Sequence, residues 1–397
     1  MHDAIEVREM AEDDLPAGWQ LGRLAFGGPP EPPPYALKLW PRMTRYGAFD
    51  AAGTLLGKAV DLHDEQWWSG HRVPAADIAG VAVLPEARGR GLARTLLTAV
   101  LRGARDRGAA ISALFPTVAA PYRAAGWEVC GTLRTVNVAT AALPRHRPAA
   151  TLTVRPGTTA DLPAAAALYR DYAQHRCGLL SREGGRFDDH WAGEELPADG
   201  LTLVEDDGRL LGYALWDRGS GYDANAVLTI EDLVTVTPAA AAELIGGLAS
   251  WQSVAPTVRL PEPDFDAVTA RLPLSAVREH ARQPWMHRPV DVVRAVESRG
   301  WPGSVRGRVD FVLDDPHAPW NSGTWRLEVA DGRAVLTRGG DDADLRLTVR
   351  GFAALYTAAA GAPALVEAGL LDTRGGADPT ALDLLASGGR AQLLDYF

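Results

Sequence analysis

The chain has 397 residues, enough for two or three domains with sizeable cores, and its 47% hydrophobic and 23% charged residues make it globular rather than disordered. A net charge of −10 argues against nucleic acid as the primary partner and favours a cationic small molecule, or simply solubility. Two cysteines, Cys130 and Cys177, provide neither a disulfide framework nor a paired metal motif, the histidines show no metal spacing, and no apolar run approaches the roughly 20 residues that span a bilayer.

The opening MHDAIEVREMAEDDLP is acidic rather than basic and then apolar, so the cytoplasm is the expected compartment, without membrane association. A strand is predicted over 5–8. A helix follows from 11 to about 26, its acidic first turn suited to the helix dipole. Gly27-Gly28-Pro29-Pro30 and the prolines after it cannot continue that helix and form a loop. Residues 46–49 and 54–62 read as a hairpin about the turn 50–53, followed by a polar loop containing Trp67, Trp68 and Gly70.

The next stretch organises the chain. Residues 78–83 are short, apolar and followed by Pro85, as in a buried strand; Leu92, Leu96, Leu97, Val100 and Leu101 form one stripe of a helix. Between them stands Arg88-Gly89-Arg90-Gly91-Leu92-Ala93. Two glycines admit close approach of a ligand to the backbone, the helix start offers unpaired N–H groups, and the arginines add charge. The combination suits a pyrophosphate, although the hexapeptide alone also fits an exposed Arg-rich turn. Walker spacing is absent, and Arg94 stands where a dinucleotide fingerprint needs Gly or Ala. A buried strand over 110–115 ends at Pro116, and a short helix carrying Tyr122 ends at Gly126 before the chain re-enters the sheet.

The Pro- and Arg-rich AALPRHRPAAT, 141–151, marks a domain boundary. Beyond it the order restarts: 152–155 corresponds to 5–8, and 159–163 with an Ala-rich helix corresponds to 11–16. A hairpin follows over 201–216, and the run 226–234 stands where 78–83 stood. Thr237-Pro238 opens the next helix, with an N-cap and a proline at the first helical position. No Arg or Gly occupies 235–241, so this copy lacks the phosphate loop. A third region begins near Trp285, with strands over 309–314, 324–329, 334–337 and 344–349, then helices over 351–360 and 363–369. An antiparallel sheet with a helical flank is a sterol-carrier-like arrangement.

The spacing Arg88-x-x-Gly91-x-Ala93 after Val81-Ala82-Val83 resembles the acetyl-coenzyme A loop of GNAT N-acetyltransferases. With that loop, the stretch WMHRPVDVVRAVESRGW, residues 344–368 and a final Phe397, the whole chain resembles the enhanced intracellular survival (Eis) family. The resemblance implies an α/β (α+β) fold of tandem GNAT domains, the N-terminal one active (1–145) and the central one degenerate (150–284). A sterol-carrier-protein-like α+β domain (285–397) follows. It further implies acetylation of amines, including aminoglycosides, with acetyl-CoA as cosubstrate and no metal, commonly in a hexamer. By the same resemblance Val81 and Val83 bind the pantetheine arm and Arg88, Gly89 and Gly91 the pyrophosphate, with Ala93 in the loop motif and Thr117 near the coenzyme. Tyr122 matches the general acid, and the carboxylate of Phe397 the general base. Gly89 departs from an Arg-Arg-Arg run frequent in the family, and the tail GGRAQLLDYF lacks the usual Pro-containing approach.

Other readings remain open at this stage. Tyr122 also suits an aromatic packed on Trp127, Phe397 a frayed end, and the acidic pairs at 13–14, 188–189, 194–195 and 341–342 solvated turns. The acceptor could instead be a protein lysine, or the chain a non-catalytic lipid-binding protein.

Overall fold

A computed structural model describes residues 5–145, 149, 151–340 and 343–397. The acidic pair at 341–342 and part of the expected boundary, 146–148 and 150, lie outside the described residues. The chain forms two compact units, one of Met1–Gly131 with Pro284–Ala391 and Phe397, the other of Thr132–Gln283 with Gln392–Tyr396.

In the first unit, strands Glu6–Glu9, Met43–Phe49, Leu55–Leu62, His71–Val83 and Ile111–Leu114 are neighbours in that order, and the end of Val277–Pro289 joins the last of them. His71–Val83 and Ile111–Leu114 are parallel, as a crossover through helix Leu92–Asp106 requires. That helix buries Leu92, Leu96, Leu97, Val100, Leu101 and Ala104 against a core that includes Ala48, Leu56, Ala59 and Ile78. Each fully buried Leu contributes about 1.5–3 kcal/mol, so the stripe read from the sequence fixes the helix, and with it the loop at its start.

The expected polar loop at Trp67 and Trp68 is instead a strand, Glu65–Trp68, antiparallel to the beginning of His71–Val83. Ser69 and Gly70 turn between them with φ of 48° and 88°, the twist that a two-residue hairpin favours. The turn lacks the Asn-Gly or Asp-Gly signal, and the organising strand therefore starts at His71 rather than at 78.

The same unit holds a five-stranded sheet in the order Arg333–Arg338, Gly323–Ala330, Gly307–Asp314, Leu345–Thr348 and Leu371–Thr373. Helix Val349–Tyr356, flanking it, buries every residue except Arg350. In the second unit the later part of Glu128–Ala139 pairs with Thr257–Pro261, followed by Val227–Thr235, Arg209–Asp217, Gly200–Asp206 and Leu152–Pro156. Helix Pro238–Ala249 packs Leu244, Ile245 and Leu248 into a core with Val136, Leu228 and Val258. The repeated order read from the sequence is present.

Candidate active site

The coenzyme-type features begin at an irregularity of the organising strand. Its register with Leu55–Leu62 passes from Val60↔Ala79 to Lys58↔Ala82, so Gly80 and Val81 together oppose Ala59. This bulge bends the strand. The parallel ladder to Ile111–Leu114 ends at Ile78↔Leu114. Val81 and Val83 therefore lie beyond the last parallel pair, where an extended ligand can add to the edge as another strand would.

A single 3-10 turn, Pro85–Ala87, anchored by the buried Ala87, leads into the loop. Gly89 and Gly91 have φ of 75° and 79°, a region costly for L side chains, and a Cβ at either would meet nothing within 4 Å. Gly91 is the N-cap of Leu92–Asp106 and supplies no side chain to its first-turn amides. Those amides are free to receive an anion.

The loop borders a cleft of about 400 Å³, to which Val83, Arg88, Gly89, Gly91 and Ala93 contribute. Pro121, Ala124, Ala125 and His317 also line it. Open space above two left-handed glycines, an uncapped helix start and the guanidinium of Arg88 fit a diphosphate. His317 was not legible in the sequence, since it lies more than 200 residues from the loop.

Val81, Thr117, Tyr122 and Phe397 are not among the residues lining this cleft. Val81 is half-buried and Thr117 exposed, two residues before helix Ala119–Ala124. Tyr122 sits on that helix, 9% exposed, in the core cluster that includes Ala87 and Leu92, with Trp127 edge-on at 6.5 Å. Burial pushes its phenol up to about 12, so it is protonated at neutral pH. Phe397 places its ring edge-on to Phe115 at 5.1 Å, at the end of the strand that leads through Thr117 to Tyr122.

The second unit has a cleft of about 530 Å³ of opposite character. Asp217, Glu231, Asp232 and Asp395 line it, with Arg182 and His190. Buried Arg182 pairs with Asp232 at 2.5 Å and with Asp395 at 2.9 Å, and the Tyr213 hydroxyl donates to Asp232. Asp217 and Glu231 are left as excess acid. Burial, then the charge of Asp217, raises the Glu231 carboxyl above its ordinary value. Sequence reading missed this group because its members, from 182 to 395, share no local motif. No group of metal-ligating side chains occurs among the described residues, and no described helix is long and apolar enough to cross a membrane.

Residues 6–130 and 178–295 each match an acetyltransferase (GNAT) domain family, and residues 292–393 match a sterol carrier protein domain. The protein is an N-acetyltransferase. It carries two GNAT domains and then a sterol-carrier-like domain, the architecture expected from the sequence. An uncharacterized N-acetyltransferase of Streptomyces avermitilis is 26% identical over 385 residues, spanning 88% of this chain and 89% of the relative. The GCN5-related N-acetyltransferase structure from Kribbella flavida superposes with a TM-score of 0.83 at 28% identity, covering 100% of this chain and 99% of that one. Eis1 of Mycobacterium abscessus shares the fold, with a TM-score of 0.77 at 22% identity over 99% of this chain and 100% of that one. GNAT folds in general use acetyl-CoA, and the phosphate-type loop of this acetyltransferase lies in its first GNAT domain.

Proposed function

We propose that this enzyme is an Eis-like acetyltransferase that binds acetyl-CoA in the first-unit cleft and acetylates an amine of a small cationic, aminoglycoside-like acceptor. The observation that carries the reading is the uncapped, glycine-lined helix start facing that cleft. The bound thioester supplies an activated acetyl group. Main-chain groups of Val81 and Val83 hold the pantetheine arm, Thr117 stands beside it, and Arg88, Gly89, Gly91 and Ala93 cradle the diphosphate.

An acceptor amine is protonated at neutral pH and must lose a proton before it attacks. The carboxylate of Phe397, charged at neutral pH as an α-carboxylate ordinarily is, holds the ammonium and accepts that proton directly or through water. Tyr122 is a weaker acid than a free thiol, whose pKa is about 8.5, so in a water-poor site it acts by donating a hydrogen bond as negative charge gathers on the departing sulfur. The second unit's own cleft, with Asp217 and Glu231 as excess carboxylates, suits a cation rather than a lipid. The same reading includes domain limits of 1–145, 150–284 and 285–397, a homo-oligomer of the hexameric kind and a cytoplasmic location, with neither nucleic acid nor membrane as partner.

The test is release of free thiol when pure protein is incubated with acetyl-CoA and a panel of aminoglycosides, polyamines and lysine peptides. Turnover restricted to small polycations supports the proposal. Turnover only with peptides moves the acceptor to protein lysines, and silence across the panel overturns it.

A further inference from the structure

One residue of the cleft lining, His317, comes from the C-terminal part of the chain, and its setting is specific. Arg288 and Asp315 are both fully buried, and their ion pair closes at 2.6 Å. Arg288 also donates to the carbonyl of Ala125, just past helix Ala119–Ala124. Asp315 accepts from the amide of Ala318 at 3.1 Å and from the Asn321 side chain at 3.0 Å, and its own amide donates to Ser322 Oγ at 2.9 Å. The turn carrying His317 is thus fastened to the end of the helix whose Pro121 and Ala124 also line the cleft. A buried pair is a poor source of stability but a strict constraint on geometry.

We infer that His317 is a ligand for the coenzyme's phosphates, presented to the cleft by the Arg288–Asp315 pair, so that the sterol-carrier-like part of the chain completes the coenzyme site. The inference rests on the reading of this cleft as the acetyl-CoA site. The carbonyl of Ala124 favours the protonated ring. A neutral imidazole has a single N–H to share between that carbonyl and a phosphate, and protonation supplies the second.

Burial, then Arg94 on the helix and Arg288 on its strand, lower the ring's affinity for a proton, while the Ala124 carbonyl and Asp315 act in the opposite sense. Arg88 faces the same space from the loop. A bound diphosphate offsets these arginines, and the ring takes up a proton as the coenzyme binds. The gain in affinity is therefore present below the raised pKa of the complex and is lost as pH rises through it.

The experiment is calorimetry of the full chain with acetyl-CoA at pH 6, 7 and 8, in buffers of different ionisation enthalpy, for wild type and His317→Gln. Steady-state kinetics with S-acetylpantetheine, which lacks the nucleotide and its phosphates, accompany it. Wild type should take up a proton and bind tighter toward pH 6. The variant should bind about tenfold more weakly at pH 6, the worth of one charge-assisted hydrogen bond, without the proton uptake and with unchanged S-acetylpantetheine kinetics. Wild-type affinity and proton uptake in the variant overturn the role of His317 alone. Failure of the wild type to bind acetyl-CoA overturns the cleft reading and this inference with it.

Discussion

In the first unit, strand His71–Val83 bulges at Gly80 and Val81 and passes through Gly89 and Gly91 into helix Leu92–Asp106. In the second, strand Val227–Thr235 bulges at Glu231, where the register jumps from Leu215↔Asp232 to Trp216↔Ile230, and passes through Thr237 into helix Pro238–Ala249. Both strands outrun a short parallel ladder, which ends at Ile78↔Leu114 in one and at Thr229↔Arg259 in the other. The backbone plan is the same, and the side chains reverse its chemistry. Gly91 leaves the first helix start uncapped. In the second, Thr237 Oγ1 accepts from the Ala240 amide at 3.1 Å, and Pro238 has no N–H to offer. Where the first bulge is small and apolar, the second presents Glu231 and then Asp232. A bent strand before a helix is therefore a frame on which a few side chains write either an anion site or a cation site.

The assignment of chemistry to the first unit alone is broken most directly at Tyr122. Tyr122→Phe removes one hydroxyl from a packed ring and should lower kcat about a hundredfold or more, with little change in thermal midpoint. Full activity in that variant would move the hydrogen-bond donor for the departing sulfur elsewhere.

Gly91→Val tests the loop next. A β-branched residue at φ 79° costs about 1–2 kcal/mol, so KM for acetyl-CoA should rise about tenfold. Its counterpart in the second unit, Thr237→Ala, should cost about 1 kcal/mol in urea unfolding and leave that KM unchanged. A shift in coenzyme KM from Thr237→Ala would mean that the second helix start also serves the coenzyme. The smallest effect is expected at Glu231→Gln. Loss of one partly solvated charge, about 0.2–1 kcal/mol, should weaken polycation binding to the second unit's cleft up to about fivefold in calorimetry and leave KM for acetyl-CoA unaltered.

The features that could be read from the sequence are those held within a few residues. Arg88, Gly89 and Gly91 precede a clean leucine stripe, and the helix, its start and the loop follow from that stretch alone. Thr237-Pro238 likewise announced its cap. The Glu65–Trp68 strand escaped because Ser69-Gly70 is an uncommon turn signal, and because Gln66, Trp67 and Trp68 are all buried and show no alternation. His317, Arg288 and Asp315 could not be placed, since their meaning lies in contacts with residues 121–125. The acidic cleft is likewise assembled from segments scattered between Leu133 and Tyr396. Phe397, which read equally well as a loose end, has its ring against Phe115.

The bare helix start at Gly91 also bears on how the enzyme endures heat. A glycine at the N-cap forgoes a few tenths of a kcal/mol relative to Ser or Thr, and an anion seated there contributes about 0.3–1 kcal/mol through the helix dipole. A ligand at a hundred times its dissociation constant stabilises the folded chain by about 2.7 kcal/mol. On the proposed reading the acyl donor doubles as a folding aid, and the lifetime of this acetyltransferase at elevated temperature should track the supply of coenzyme around it.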